Sequence, residues 1–147
     1  MSALDINLIA VALYLLAAGY LFISLWRQHP IRRQSLYLLT ALALIAHGTG
    51  CAKLIIQPQG LALNLFPMLS LIFCTVNIVV LLSAARKPLH NLFILLFPLT
   101  IVAIVSSLLP VNNNALLPLT LGLASHVLLS ILAYSLSTIA ALQALFL

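Results

Sequence analysis

Side chains able to ligate a metal or move a proton are scarce in this 147-residue chain: four histidines, two cysteines and one acid, Asp5. Two of the histidines, His47 and His126, interrupt long apolar runs. An imidazole inside such a run is held neutral, and its acceptor nitrogen then suits iron or another imidazole-binding metal. The same nitrogen serves equally in a hydrogen bond to a neighbouring helix, so each histidine taken alone is open to both readings. His29 and His90 stand beside Pro30 and Pro88 in basic connections and read as solvated or headgroup-facing. Cys51 and Cys74 do not form a Cys-x-x-Cys pair and no second acid accompanies them, which argues against a structural zinc or a thiol-redox centre. Asp5 alone supports neither hydrolysis by paired carboxylates nor a Ser/His/Asp set, and a proton or cation pump would lack its intramembrane carboxylates. The chain therefore offers candidate ligands and no catalytic residue, and reads as a binding protein rather than an enzyme.

The elements that must position these residues are apolar. Hydrophobic residues make up 65% of the chain and charged ones 5%, which excludes a soluble domain, a charged disordered tail and a nucleic-acid site even at a formal net charge of +5. A hydrocarbon core about 30 Å thick takes roughly 20 residues of helix at about 1.5 Å each. The stretches 6–26, 36–56, 66–85, 92–109 and 119–147 come near or pass that length. The expected fold is all-α, a polytopic transmembrane helix bundle of about five spans making a single domain over 1–147. The connections 27–35, 57–65, 86–91 and 110–118 are short and hold turn residues, among them Pro58, Gly60, Asn112, Asn113, Asn114 and Pro118. Consecutive spans are therefore expected to be antiparallel neighbours.

Arg27, Arg32, Arg33, Arg86 and Lys87 all fall on one side of such a bundle, which the positive-inside bias makes cytoplasmic. That orientation puts the amino terminus outside and the carboxyl terminus in the cytoplasm, with Lys53 snorkelling to the outer interface. The first span does not read as a secretory signal, because Asp5 precedes the apolar run and the arginines follow it, with Trp26 as an interfacial anchor. On this topology His47 and His126 both lie roughly 10–14 Å below the outer surface. Equal depth strengthens the case that the two act together.

Small and polar residues line one face of three helices: Ala43, His47, Gly50 and Cys51 in the second span, Ser70, Cys74 and Asn77 in the third, and Gly122, His126, Ser130, Ala133, Ser137 and Ala140 in the fifth. Such lines read first as close-packing seams with a few interhelical hydrogen bonds. The last span is still apolar at Leu145, Phe146 and Leu147 and lacks the cationic or aromatic anchor of a cytoplasmic interface. The chain is accordingly expected to be the amino-terminal part of a longer bundle.

Particular residues in these helices resemble a known family. They are the helix containing His47-Gly48, the segment from Gly60 through Pro67 to Ile72 followed by Cys74-Thr75-Val76, and the closing stretch Ala124-Ser125-His126-Val127 with Tyr134 and then Ala140-Ala141-Leu142-Gln143-Ala144. Over essentially its whole length the chain resembles the cytochrome c assembly proteins, haem-handling membrane proteins of the CcsA and CcmC type, and among them the short YpjD-like inner-membrane branch. The resemblance implies a multi-pass protein of the bacterial inner membrane that binds or passes haem near its periplasmic face, with other cytochrome c assembly proteins as partners. It transfers a haem-iron ligand role to His126, and matches His47 to a recurrent second-helix histidine that would be a second ligand or a pocket residue. The chain departs from the haem-delivering members in having one tryptophan, Trp26, on the other side, where they carry a tryptophan-rich outer segment between two histidines. The alternatives are a haem-free structural or interaction subunit, in which both histidines bridge helices, and a small-molecule transporter.

Overall fold

The computed structural model describes residues 2–58, 60–84, 91–109, 116–118 and 120–145. Helix α1 (Ala3–Trp26) starts before the apolar run because Ser2 and Asp5 form a capping box. The Asp5 amide donates to the Ser2 hydroxyl at 3.1 Å and the Ser2 amide to the Asp5 carboxylate at 2.8 Å. The lone acid thus closes a helix start, where it also faces the positive end of the helix dipole. At its other end α1 stops in a Schellman turn, with the Gln28 amide on the Leu25 carbonyl, the His29 amide on the Ser24 carbonyl, and Gln28 at φ +53°.

The chain continues through α2 (Arg33–Ile55), the strands β1 (Ile56–Gln57) and β2 (Gly60–Ala62), α3 (Leu65–Ala84), α4 (Leu92–Ser107), β3 (Leu116–Leu117) and α5 (Leu121–Leu145). The result is an all-α bundle with four apolar helices long enough to cross a membrane, α1, α2, α3 and α5. Helix α4 differs from the expected span over 92–109. It has 16 residues, about 24 Å at the usual rise, and Pro98 inside it leaves the Ile94 carbonyl without its helical N–H partner. A small antiparallel sheet of order β1-β2-β3 also forms where sequence suggested only connections, pairing Ile56 with Leu61 and Leu61 with Leu117. Gly60 permits it. Its φ is +146°, and a Cβ there would stand 2.6 Å from the Leu117 carbonyl oxygen. Arg86, Lys87, Pro88, His90, Asn112, Asn113, Asn114, Phe146 and Leu147, on which parts of the sequence reading rest, lie outside the described residues.

Helices α1 to α4 close into a ring, α1 packing on α2 and α4 while α3 packs on the other sides of the same two. Helix α5 lies outside it, against α3 and the margin of α4. The ring's inward faces follow a 3-4 spacing: α1 buries Asn7, Ala10, Tyr14, Ala17, Leu21 and Ser24, the alternation that keeps one stripe of a helix on its neighbours. Towards the arginine-bearing end the core is apolar, with Phe93 stacked on Phe97 at 5.0 Å and Leu36 and Val80 buried beside them. There Tyr37 of α2 donates to the Ala84 carbonyl at the end of α3 at 2.8 Å. Outward faces carry exposed Leu15, Leu16, Phe22, Leu38, Leu42, Ile45, Leu82 and Val102. An apolar belt of this kind is stable only against hydrocarbon or another apolar surface.

Candidate functional site

His47 stands on the inward stripe of α2, about 12 Å from the helix end at Ile55. Its ring is fully buried. Nε2 is 2.9 Å from the Ser70 hydroxyl of α3 and Nδ1 is 3.4 Å from the Tyr14 hydroxyl of α1, so one imidazole ties three helices together. The Tyr14 ring meets it edge-on at 5.8 Å and leans on Phe97 of α4 at 5.5 Å, which brings the fourth helix into the cluster. A neutral imidazole has one donor and one acceptor, and hydroxyls play either part, so both tautomers are satisfied here. The Ser70 hydroxyl also lies 3.6 Å from Cys51 Sγ, and both cysteines are free and buried. Iron ligation by His47 in this arrangement would require its acceptor nitrogen to be released from a hydroxyl.

Two asparagines extend the polar core. Asn77 of α3 donates to the Thr100 hydroxyl of α4 at 2.7 Å and to its own-helix Phe73 carbonyl at 2.8 Å, leaving Oδ1 buried without a partner. Asn7 of α1 donates to the Ala3 carbonyl at 3.0 Å, and its Oδ1 is likewise buried and unpaired. The carboxamide of Asn7 fits a notch that only glycine leaves open, since a Cβ on Gly50 of α2 would collide with it. A partly open depression of about 140 Å³ is lined by Leu54, Gln57, Ala62, Asn64, Pro67, Ser107 and Leu109. That is too little for a porphyrin.

His126 is placed quite differently. It sits about 8 Å from the start of α5, which begins at Leu121. Its side chain is exposed and has no hydrogen-bond partner among the described residues. No bond or ring contact joins it to His47. The residues α5 buries are Ser135 and Leu142, with the Ser135 hydroxyl 3.4 Å from the Ile72 carbonyl of α3. At about 100° per residue these two point nearly opposite to the line of Gly122, His126, Ser130, Ala133, Ser137 and Ala140. The expected seam of α5 therefore faces away from the ring, with Ser130 half-buried and the rest exposed. The seams expected on α2 and α3 do face inward: Ala43, His47, Gly50, Cys51, Ser70, Cys74 and Asn77 are all buried.

Among the described residues no three His, Cys, Asp or Glu side chains gather as a metal site. Of the two histidines, His126 has an imidazole open on its helix face, and His47 has both nitrogens engaged. Tyr14, Thr100 and Asn7 were not anticipated from the sequence. The signal was available for two of them, because Asn7 and Tyr14 recur with Ala10 and Ala17 at alternating intervals of three and four. Comparison with protein families, characterised proteins and solved structures finds no match to this chain.

Proposed function

We propose that this chain is a haem-handling protein of a bacterial inner membrane, of the cytochrome c assembly type, in which His126 supplies the iron-facing imidazole and His47 fixes the ring that supports it. The observation that carries this reading is the contrast between the two histidines. His47 has the partners of a structural histidine, hydroxyls on both nitrogens. His126 has none, and it stands on the helix face turned away from the packed one. An imidazole exposed on a span-length helix offers a ring nitrogen to an external electrophile, and iron in a porphyrin is one that imidazole favours. Around it, Gly122, Ser130 and Ala133 present little bulk, which suits a flat macrocycle laid along α5. His126 would hold the haem iron through its imidazole, and other assembly proteins would act as the haem's source or recipient.

A detergent-purified, haem-replete sample is expected to show a Soret band. Substituting His126→Gly should abolish or strongly weaken it, with partial recovery on adding imidazole. His47→Gly should lower the amount of folded protein and leave the band shape of the folded fraction unchanged. A colourless wild type, or an unchanged spectrum in the His126→Gly variant, would transfer the α5 face to the second reading, an interaction subunit whose small-residue face meets another helix. The exposure of that line, where Ser130 alone is half-buried, is what favours the second reading.

A further inference from the structure

At the end of the bundle remote from Asp5, the turn joining α1 to α2 carries Arg27, Arg32 and Arg33, all exposed. The chain has no carboxylate side chain to pair with them. Its single acid, Asp5, is at the opposite end of α1, about 33 Å away at the helical rise. The turn is nevertheless well defined. The Schellman bonds of Gln28 and His29 close α1, and the Arg32 amide donates to the Tyr20 hydroxyl at 3.0 Å, which ties the start of α2 back onto α1. Ile31, between them, packs against the core.

Two open depressions flank this turn. One, of about 450 Å³, is lined by Arg32, Arg33, Gln34 and Ser35. The other, of about 350 Å³, is lined by Phe22, Ile23, Trp26 and Arg27. Trp26 is 79% exposed, with its ring 5.9 Å from that of Phe22. Guanidinium groups recognise phosphate oxygens in pairs, and the aromatic and aliphatic side of the groove formed by Phe22, Ile23 and Trp26 suits a hydrocarbon chain. A molecule complementary to both is an amphiphile with an anionic phosphate head. A soluble phosphate would leave the apolar groove unused.

We propose that the α1–α2 turn is a binding site for an anionic phospholipid, with Arg32 and Arg33 on the phosphodiester, Arg27 beside them, and Phe22, Ile23 and Trp26 along the upper acyl chain. The lipid supplies the counter-charge that the chain does not encode, and it holds this end of the bundle at the headgroup layer. The proposal is independent of haem.

Trp26 is the single tryptophan of the chain, so its fluorescence reports on this turn alone. The protein is reconstituted in phosphatidylcholine nanodiscs containing a minor fraction of brominated lipid, either phosphatidylglycerol or phosphatidylcholine, since bromine quenches an indole that it touches. Brominated phosphatidylglycerol is expected to occupy the Trp26 site about fivefold above random mixing at low salt, and brominated phosphatidylcholine at the random level. The R32Q/R33Q double variant should bring the anionic lipid to the random level while keeping the Trp26 emission maximum in pure phosphatidylcholine. Lys53→Gln, which removes a charge at the other end, should leave the enrichment intact. Equal quenching by the two lipids would overturn the proposal, as would enrichment that survives R32Q/R33Q. Displacement by inorganic phosphate beyond that of chloride at matched ionic strength would assign the arginines to a soluble anion instead.

Discussion

The four-helix ring and α5 use the same residue types at the same spacing for opposite purposes. In the ring, a histidine flanked by small residues is fully buried, and its two nitrogens connect α2 to α1 and α3. On α5 a histidine on a line of serines, alanines and a glycine faces outward, while a serine and a leucine on the far side hold the helix to α3. Small-residue periodicity in an apolar helix thus identifies a face that permits close packing. It does not identify what covers that face. In the ring the cover is other helices of the chain, and on α5 the described residues leave the line largely exposed.

The contrast is broken most directly by exchanging roles at the two histidines. Removing the imidazole of His47 creates a cavity and strands the Ser70 and Tyr14 hydroxyls between three helices. His47→Ala is expected to destabilise the folded protein by about 2–4 kcal/mol, read as a loss of resistance to denaturing detergent. His126→Ala touches no partner and should change stability by less than about 0.5 kcal/mol. Comparable losses in the two variants would mean that α5 and the ring are not distinct in the way described.

A second test addresses how closely the ring is fitted. Gly50 and Asn7 meet where a Cβ has no space, so Gly50→Ala forces α1 and α2 apart or displaces the Asn7 carboxamide. The expected cost is about 1–3 kcal/mol. Because the obstruction is one side chain, Asn7→Ala in the same molecule should recover much of it, making the pair strongly non-additive. Additive losses would place the strain elsewhere along the α1–α2 contact. No position on the outward line of α5 should behave this way, Gly122 included, since a Cβ there meets nothing within 4 Å.

How much of this was legible beforehand follows from the physics of each feature. Span-length helices are written in the composition, because few other arrangements satisfy the backbone of so apolar a chain. The inward faces of α2 and α3 were legible because His47, Gly50, Cys51, Ser70 and Asn77 would each be out of place against lipid. The start of α1 was shifted by a capping box that apolar content does not register, although Ser2 and Asp5 stand at its characteristic spacing. The sheet was hidden because its strands have only two or three residues and its third comes from a segment distant in sequence, with Leu61 pairing with Leu117. Tyr14 was missed for another reason: an aromatic residue in an apolar span does not declare whether its hydroxyl is paired or its ring is in lipid. The outward turn of α5 was not legible, since leucines occupy both its sides and a helix in a membrane needs no polar face to mark its exterior.

The smallest expected effect concerns Asn77 and separates two kinds of polar residue inside the ring. His47 has a partner on each nitrogen, whereas the Asn77 amide group donates twice and its Oδ1 has no partner. Replacing Asn77 by Leu removes a bond between α3 and α4, and also removes the buried oxygen that lacked one. Interhelical hydrogen bonds in membranes contribute about 0.6 kcal/mol on average, and relieving an unpaired buried acceptor is worth a similar or larger amount. The two effects oppose each other, so Asn77→Leu should shift stability by no more than about 0.5 kcal/mol in either direction. Asn77→Ala loses the same bond but leaves a void as well, and should cost about 1–2 kcal/mol. Thr100 keeps its own donor bond to the Leu96 carbonyl in both variants, so no new unpaired hydroxyl hydrogen complicates the reading. A large loss in the leucine variant, as great as that of His47→Ala, would show that Asn77 Oδ1 is bonded after all, to a water or a group held in the polar half of the ring.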